Sequence, residues 1–146
     1  MAALSQPYET FEKPGLVVSY KLSNIKAYKG ALCAIDSNGY LVALDHATAN
    51  LKFAGVANET ADNSGGSAGD KSLNLTKTGS FVFKAATGFS PSQADLGKEV
   101  YANTDWEVQT STGGLTNTYK VGTIVGIETT STGASGVRVR IDNYTQ

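Results

Sequence analysis

Apolar residues in this chain come in short runs, several of them bounded by Gly, Asn or Asp. A helix needs an apolar stripe recurring at three and four residues over ten or more positions, whereas a strand needs only a short run that alternates or is bounded by turn residues. Leu16-Val17-Val18-Ser19-Tyr20, Ala31-Leu32-Cys33-Ala34-Ile35, Tyr40-Leu41-Val42-Ala43-Leu44 and Phe53-Ala54-Gly55-Val56-Ala57 all satisfy the second requirement and not the first. The abundance of Gly, Ser and Thr points the same way, towards turns and Thr-bearing strands. The expected fold is all-β: a compact barrel or sandwich of about ten short strands with at most one short helix.

Ser37-Asn38-Gly39 joins two of these runs as a hairpin, Asn-Gly supplying the positive φ angles of a tight turn. Residues 62–70 (Asp-Asn-Ser-Gly-Gly-Ser-Ala-Gly-Asp) are too polar and glycine-rich to pack and are expected to form an exposed, mobile loop. Leu73 and Leu75 alternate with polar residues, and Thr78-Gly79-Ser80 turns the chain into Phe81-Val82-Phe83. The one plausible helix start has Ser90 as N-cap and Pro91 as first helical residue, with Gly97 stopping it. Lys98 to Ala102 and Trp106 to Thr110 read as a second hairpin, and 119–128 and 137–141 as the last strands. In the final strand Val137, Val139 and Ile141 share one face and Arg138 and Arg140 the other.

A chain of 146 residues fits one domain, read as residues 15–146, preceded by an extended N-terminal arm over residues 1–14. Tyr8 and Phe11 would anchor that arm; the alternative is a frayed tail. There is also a faint internal echo. Val56-Ala57-Asn58-Glu59-Thr60 and Val125-Gly126-Ile127-Glu128-Thr129 share V-x-x-E-T after a glycine-containing strand. It reflects either two similar strand–loop–strand units packed together or chance in a low-complexity vocabulary.

Most chemistry is excluded by what is missing. The net charge is −1 and the ten Lys are scattered, so no basic groove offers itself to nucleic acid or an anionic membrane. The single cysteine, Cys33, lies in an apolar run and reads as a buried thiol. The N-terminus has neither a basic start nor a long apolar run, so no signal peptide and no membrane helix are expected. The only histidine, His46, reads as a turn residue, and no Gly-x-Ser-x-Gly elbow accompanies it. Residues 62–70 imitate a calcium loop only superficially: Gly66 stands where a ligand is wanted and no Glu closes it. No phosphate-loop pattern occurs, and no catalytic residue, metal or cofactor is expected. A carbohydrate-binding or adhesin-like β module, with Trp106 and exposed Tyr as a stacking platform, is the competing class.

Six short motifs follow in order: Phe53-Ala54-Gly55-Val56-Ala57, the alternating strand around Leu73, Gly79-Ser80-Phe81-Val82-Phe83, Gly97-Lys98-Glu99-Val100-Tyr101, 121–126 (Val-Gly-Thr-Ile-Val-Gly) and 136–141 (Gly-Val-Arg-Val-Arg-Ile). In this order and spacing, residues 30 to 142 resemble the small β-rich decoration, or cement, proteins of tailed-phage capsids. The resemblance implies a structural protein on the virion surface, made in the host cytoplasm. Such a protein would bind the major capsid protein as a homotrimer. Tyr8 and Phe11 of the arm, with Arg138 and Arg140, are the expected capsid-binding residues. For the two arginines the alternative is a solvent-facing row that blunts an edge strand.

Overall fold

A computed structural model of the chain describes residues 5–7 and 15–142, so Tyr8 and Phe11 lie outside the described residues. The first half carries β1 (Val17–Lys21), β2 (Lys26–Ala27), β3 (Leu32–Ile35), β4 (Leu41–Ala43), β5 (Lys52–Ala57), β6 (Ala61–Asp62) and β7 (Ser72–Thr76). The second carries β8 (Thr78–Ala85), a 3-10 turn (Gln93–Asp95), β9 (Glu99–Ala102), β10 (Glu107–Gln109), β11 (Lys120–Thr129) and β12 (Ser135–Asp142). The protein is all-β, with its barrel and at most one helical turn as the sequence leads one to expect. β2 and β6 are two-residue strands that pair only with each other, too short to leave a pattern in the sequence.

The two halves are built alike. The second is a closed barrel in the order β10-β8-β12-β11-β9, shut by a parallel pairing of β10 with β8 that brings Val108 opposite Ala85. The first is a five-stranded sheet in the order β1-β7-β5-β3-β4, whose two ends meet at one parallel bridge, Leu22 to Leu41. Strand for strand, β1, β3, β4, β5 and β7 correspond to β8, β9, β10, β11 and β12.

The registers agree as well. Cys33 faces Gly55 as Val100 faces Gly122, and Ala34 faces Phe53 as Tyr101 faces Lys120. Between them each ladder skips one residue, Ala54 or Val121, at a β-bulge. Gly30 N–H donates to the Ala57 carbonyl as Gly97 N–H donates to that of Ile124. Gly30 and Gly97, Cys33 and Val100, Leu41 and Val108, and Gly55 and Gly122 are all the same number of residues apart. Two similar units are packed together, but the V-x-x-E-T letters do not align them: the counterpart of Val56 is Thr123 and not Val125, so the letter match itself is chance.

Close approach at the bulge explains both glycines. A Cβ on Gly55 would stand 2.6 Å from the Thr76 carbonyl oxygen, and one on Gly122 would stand 2.1 Å from that of Arg140. Each glycine lets the facing strand pass closer than any side chain permits.

The interiors match position by position. Tyr20, Cys33, Leu41, Leu73 and Leu75 fill the first barrel. Phe83, Val100, Val108, Val137 and Val139 occupy the same places in the second. One pair departs from the scheme. Where the second barrel buries Ile141, the first buries Lys77, 5% exposed. The Lys77 ammonium donates to the Ala54 carbonyl and, at 2.9 Å, to the Tyr20 hydroxyl. It also lies 5.1 Å from the centroid of the Tyr20 ring. The carbonyl freed at the bulge and the extra hydroxyl thus have one donor in common.

Two local expectations are corrected and a third is refined. Only Gly39 of Asn38-Gly39 has positive φ, at 86°. The turn is a wider one, in which Asp36 Oδ1 accepts the N–H groups of both Asn38 and Tyr40. The helix start falls at Ser92 rather than Ser90, and the helix is a single 3-10 turn. There Asp95 takes the Ser92 N–H at 2.8 Å, and Gly97 at φ 85° ends it. Residues 62–70 are mostly exposed, as expected, but the loop is pinned at Asn63, which is 2% exposed and whose amide donates to the carbonyls of Leu22, Ser23 and Ser67.

Two predictions follow from the shared interior. Lys77→Ile alone orphans the Ala54 carbonyl and the Tyr20 hydroxyl and should destabilise by about 1–3 kcal/mol. Adding Tyr20→Phe should recover about 1 kcal/mol of that in a double-mutant cycle read by urea unfolding; simple additivity would show that the two groups are not coupled. Gly122→Ala should cost about 3 kcal/mol or more, whereas Gly65→Ala, with open space around it, should stay within about 0.5 kcal/mol.

Candidate functional site

The polar groups of the second barrel lie on its outside. Alternation along β12 turns Val137, Val139 and Ile141 inward and Arg138 and Arg140 outward, as the sequence predicts. Across β8 the outward neighbours of the two arginines are Val82 and Ser80. Arg138 Nε lies 3.6 Å from Glu128 Oε1, and its guanidinium passes over Gly126, where a Cβ would sit 3.2 Å from two of its nitrogens. Arg140 Nε pairs with Asp142 Oδ2 at 2.9 Å. The idea that these arginines blunt an edge is corrected: β12 is enclosed between β8 and β11, so there is no edge to protect.

The same outer face continues to Trp106. Lys84 forms a 3.1 Å ion pair with Glu107 and holds its ammonium 4.7 Å from the Trp106 ring centroid. Trp106 is 48% exposed, with the Lys84 ammonium over one face of its indole. The sequence singled out Trp106 and the two arginines. It did not reveal Lys84, Glu107 or Glu128, which become partners only because β8, β10 and β11 are brought alongside.

The seam between the barrels is the other distinctive surface. Leu32, Ala34, Phe53 and Val56, on the outer face of β3 and β5, join the core of the second barrel. The Leu32 N–H donates to the Asp105 carbonyl at 2.7 Å. Tyr119 Oη donates to the Thr48 carbonyl and accepts the Leu51 N–H. His46, in its expected turn, accepts the Thr116 N–H on Nδ1 at 3.1 Å. An open cleft of about 580 Å³ runs beside the seam, bordered by Lys52, Phe53, Lys120, Arg140 and Asp142.

Cys33 is fully buried, as expected, and its Sγ–H points at the Ala31 carbonyl. Burial, with the Asp105 carboxylate adding to it, pushes the thiol up to about 12, so it is not a nucleophile at neutral pH. Among the described residues no three His, Cys, Asp or Glu side chains gather as a metal would require. In the 62–70 loop Asn63 Oδ1 has no hydrogen-bond partner, and a Cβ on Gly66 would stand 2.5 Å from it and 3.0 Å from Asp70 Oδ2. No helix among the described residues is long and apolar enough to cross a membrane. Compared with family models, curated proteins and solved structures, the chain matches none.

Asp105 is the strained group of the seam. Desolvation raises its carboxyl above the ordinary range, and the nearby charges of Asp45 and Glu107 add to the rise. A carboxyl raised in the folded state favours folding only while it holds its proton. That stability is present below the ordinary carboxylate range and is lost as pH climbs through the raised value. Asp105→Asn should therefore increase the melting temperature at pH 7, and the gain over the parent should vanish below about pH 3, measured by thermal scans across the range.

Proposed function

We propose that this protein is a structural component that binds the outer surface of a phage capsid and stabilises the mature head. The observation that carries the reading is where the side chains are placed. Lys84 with Glu107, Arg138 with Glu128 and Arg140 with Asp142 form three separate ion pairs spread over the outside of a closed barrel, and of these residues Arg140 and Asp142 border the open cleft beside the seam. A protein that displays its polar and aromatic groups on convex walls works by contact over a surface. The order of motifs shared with decoration proteins supports the same reading, and those motifs fall on the barrel-wall strands β5, β7, β8, β9, β11 and β12.

On this proposal the partner is the major capsid protein and the working form is a homotrimer. Several weak contacts then add through avidity, and occupied sites favour the expanded shell by mass action. The N-terminal arm supplies Tyr8 and Phe11 as anchors, adding a strand to a capsid sheet. Arg138 and Arg140 contribute at the rim, because each already has a carboxylate partner within its own chain.

Light scattering should give three times the 15.2 kDa of one chain, and the same sample should co-sediment with expanded heads but not with unexpanded ones. A monomer that pellets with neither would discard the reading. Deleting residues 1–14 should weaken decoration, and a shortened chain that binds heads as tightly would remove the arm from it.

A further inference from the structure

The duplicated fold makes it possible to compare one surface with its own counterpart. In the first barrel the outer face of β3 and β5 presents Leu32, Ala34, Phe53 and Val56, all nearly or fully buried because the second barrel sits on them. The corresponding residues of the second barrel are Glu99, Tyr101, Lys120 and Thr123. There the Lys120 ammonium meets Glu99 Oε1 at 2.7 Å, and Tyr101 Oη donates to Glu99 Oε2. Glu99 and Lys120 are 51% and 55% exposed, so the pair is hydrated.

We infer that the outer face of β9 and β11 is a latent docking face for a second copy of this chain, held shut by the Glu99–Lys120 pair and Tyr101. The occupant it has the geometry to receive is the β3–β4 end of that copy's first barrel. The template is the seam within the chain. There the second barrel offers its β9–β10 turn, the Asp105 carbonyl accepting the Leu32 N–H and that of Asn103 accepting the His46 N–H. The β3–β4 turn of the first barrel is built the same way: Asp36 N–H donates to the Tyr40 carbonyl as Asn103 N–H donates to that of Glu107. That turn is exposed at Ser37, Asn38 and Gly39.

A head-to-tail contact of this kind repeats without limit unless something stops it. Covering the Glu99–Lys120 pair would strip water from both ions and supply no new partner. In repeat proteins the last unit is capped by such a polar face. The array thus ends at two barrels, and any symmetric assembly has to form through other surfaces.

The test installs the first barrel's residues on the second: Glu99→Leu, Tyr101→Ala and Lys120→Phe together, with sedimentation velocity against the wild-type chain. The expected result is reversible association to a weight-average mass at least about double that of the wild type. Adding Asn38→Arg in the β3–β4 turn should restore the wild-type mass. Glu99→Lys with Lys120→Glu, which keeps a polar pair, should not associate. Glu99→Leu with Lys120→Phe, at half-exposed positions, serves if the change at Tyr101 disturbs folding. A folded variant that keeps the wild-type mass overturns the inference. So does association that survives Asn38→Arg, or that is matched by Ser19→Leu with Asn74→Phe on the far side of the first barrel.

Discussion

Both barrels depend on a place where two strands come closer than a side chain allows. A barrel of five strands is narrow, and at the bulge one strand must press against the backbone of its neighbour for the wall to curve shut. Gly55 beneath Thr76 and Gly122 beneath Arg140 are the residues that permit it. The rest follows from that approach. The bulge turns Ala54 and Val121 into the interior, sets the small interior volume that Cys33 and Val100 fill, and frees the carbonyl that Lys77 reaches in the first barrel.

The strands were legible in the sequence because each satisfies a local rule. Alternation placed Leu73 and Leu75 on one face and separated Arg138 and Arg140 from Val137, Val139 and Ile141. The duplication was nearly hidden. A barrel position asks for volume and an inward direction, not for a particular side chain, so Leu41 and Val108, or Tyr20 and Phe83, are equivalent without being alike. The shared V-x-x-E-T letters fell on the right elements by chance and paired Val56 with Val125, whereas the ladders pair it with Thr123. Asn63 was read as part of an open loop because nothing in a run of Gly, Ser and Asp shows that one amide will meet three carbonyls from elsewhere. At the candidate surface, Arg138 and Arg140 were found from spacing, but their ion-pair partners were not. Glu128 lies on a different strand, and Lys84 reaches Trp106 only because β8 and β10 run parallel.

Since the two barrels share a backbone plan, their differences show what each surface is for. The interiors differ at Lys77, bonded to Tyr20, which stands where the second barrel has Ile141. On the outer walls the divergence is much larger: an apolar face where one barrel meets the other, an ion pair and a tyrosine where the second meets water, and a row of paired arginines on β12. A protein assembled from such units can keep its folding core fixed while its walls change.

The apolar face of the first barrel has a further consequence during synthesis. β7 completes that barrel's sheet before any of β8 to β12 has left the ribosome, so Leu32, Ala34, Phe53 and Val56 stand ready with nothing yet to cover them. The second barrel cannot close until its last strand, β12, arrives between β8 and β11, and pairings of such long range form slowly. For that interval the nascent chain carries a folded half with an open greasy wall, the kind of surface that chaperones bind and that draws neighbouring chains on a polysome together.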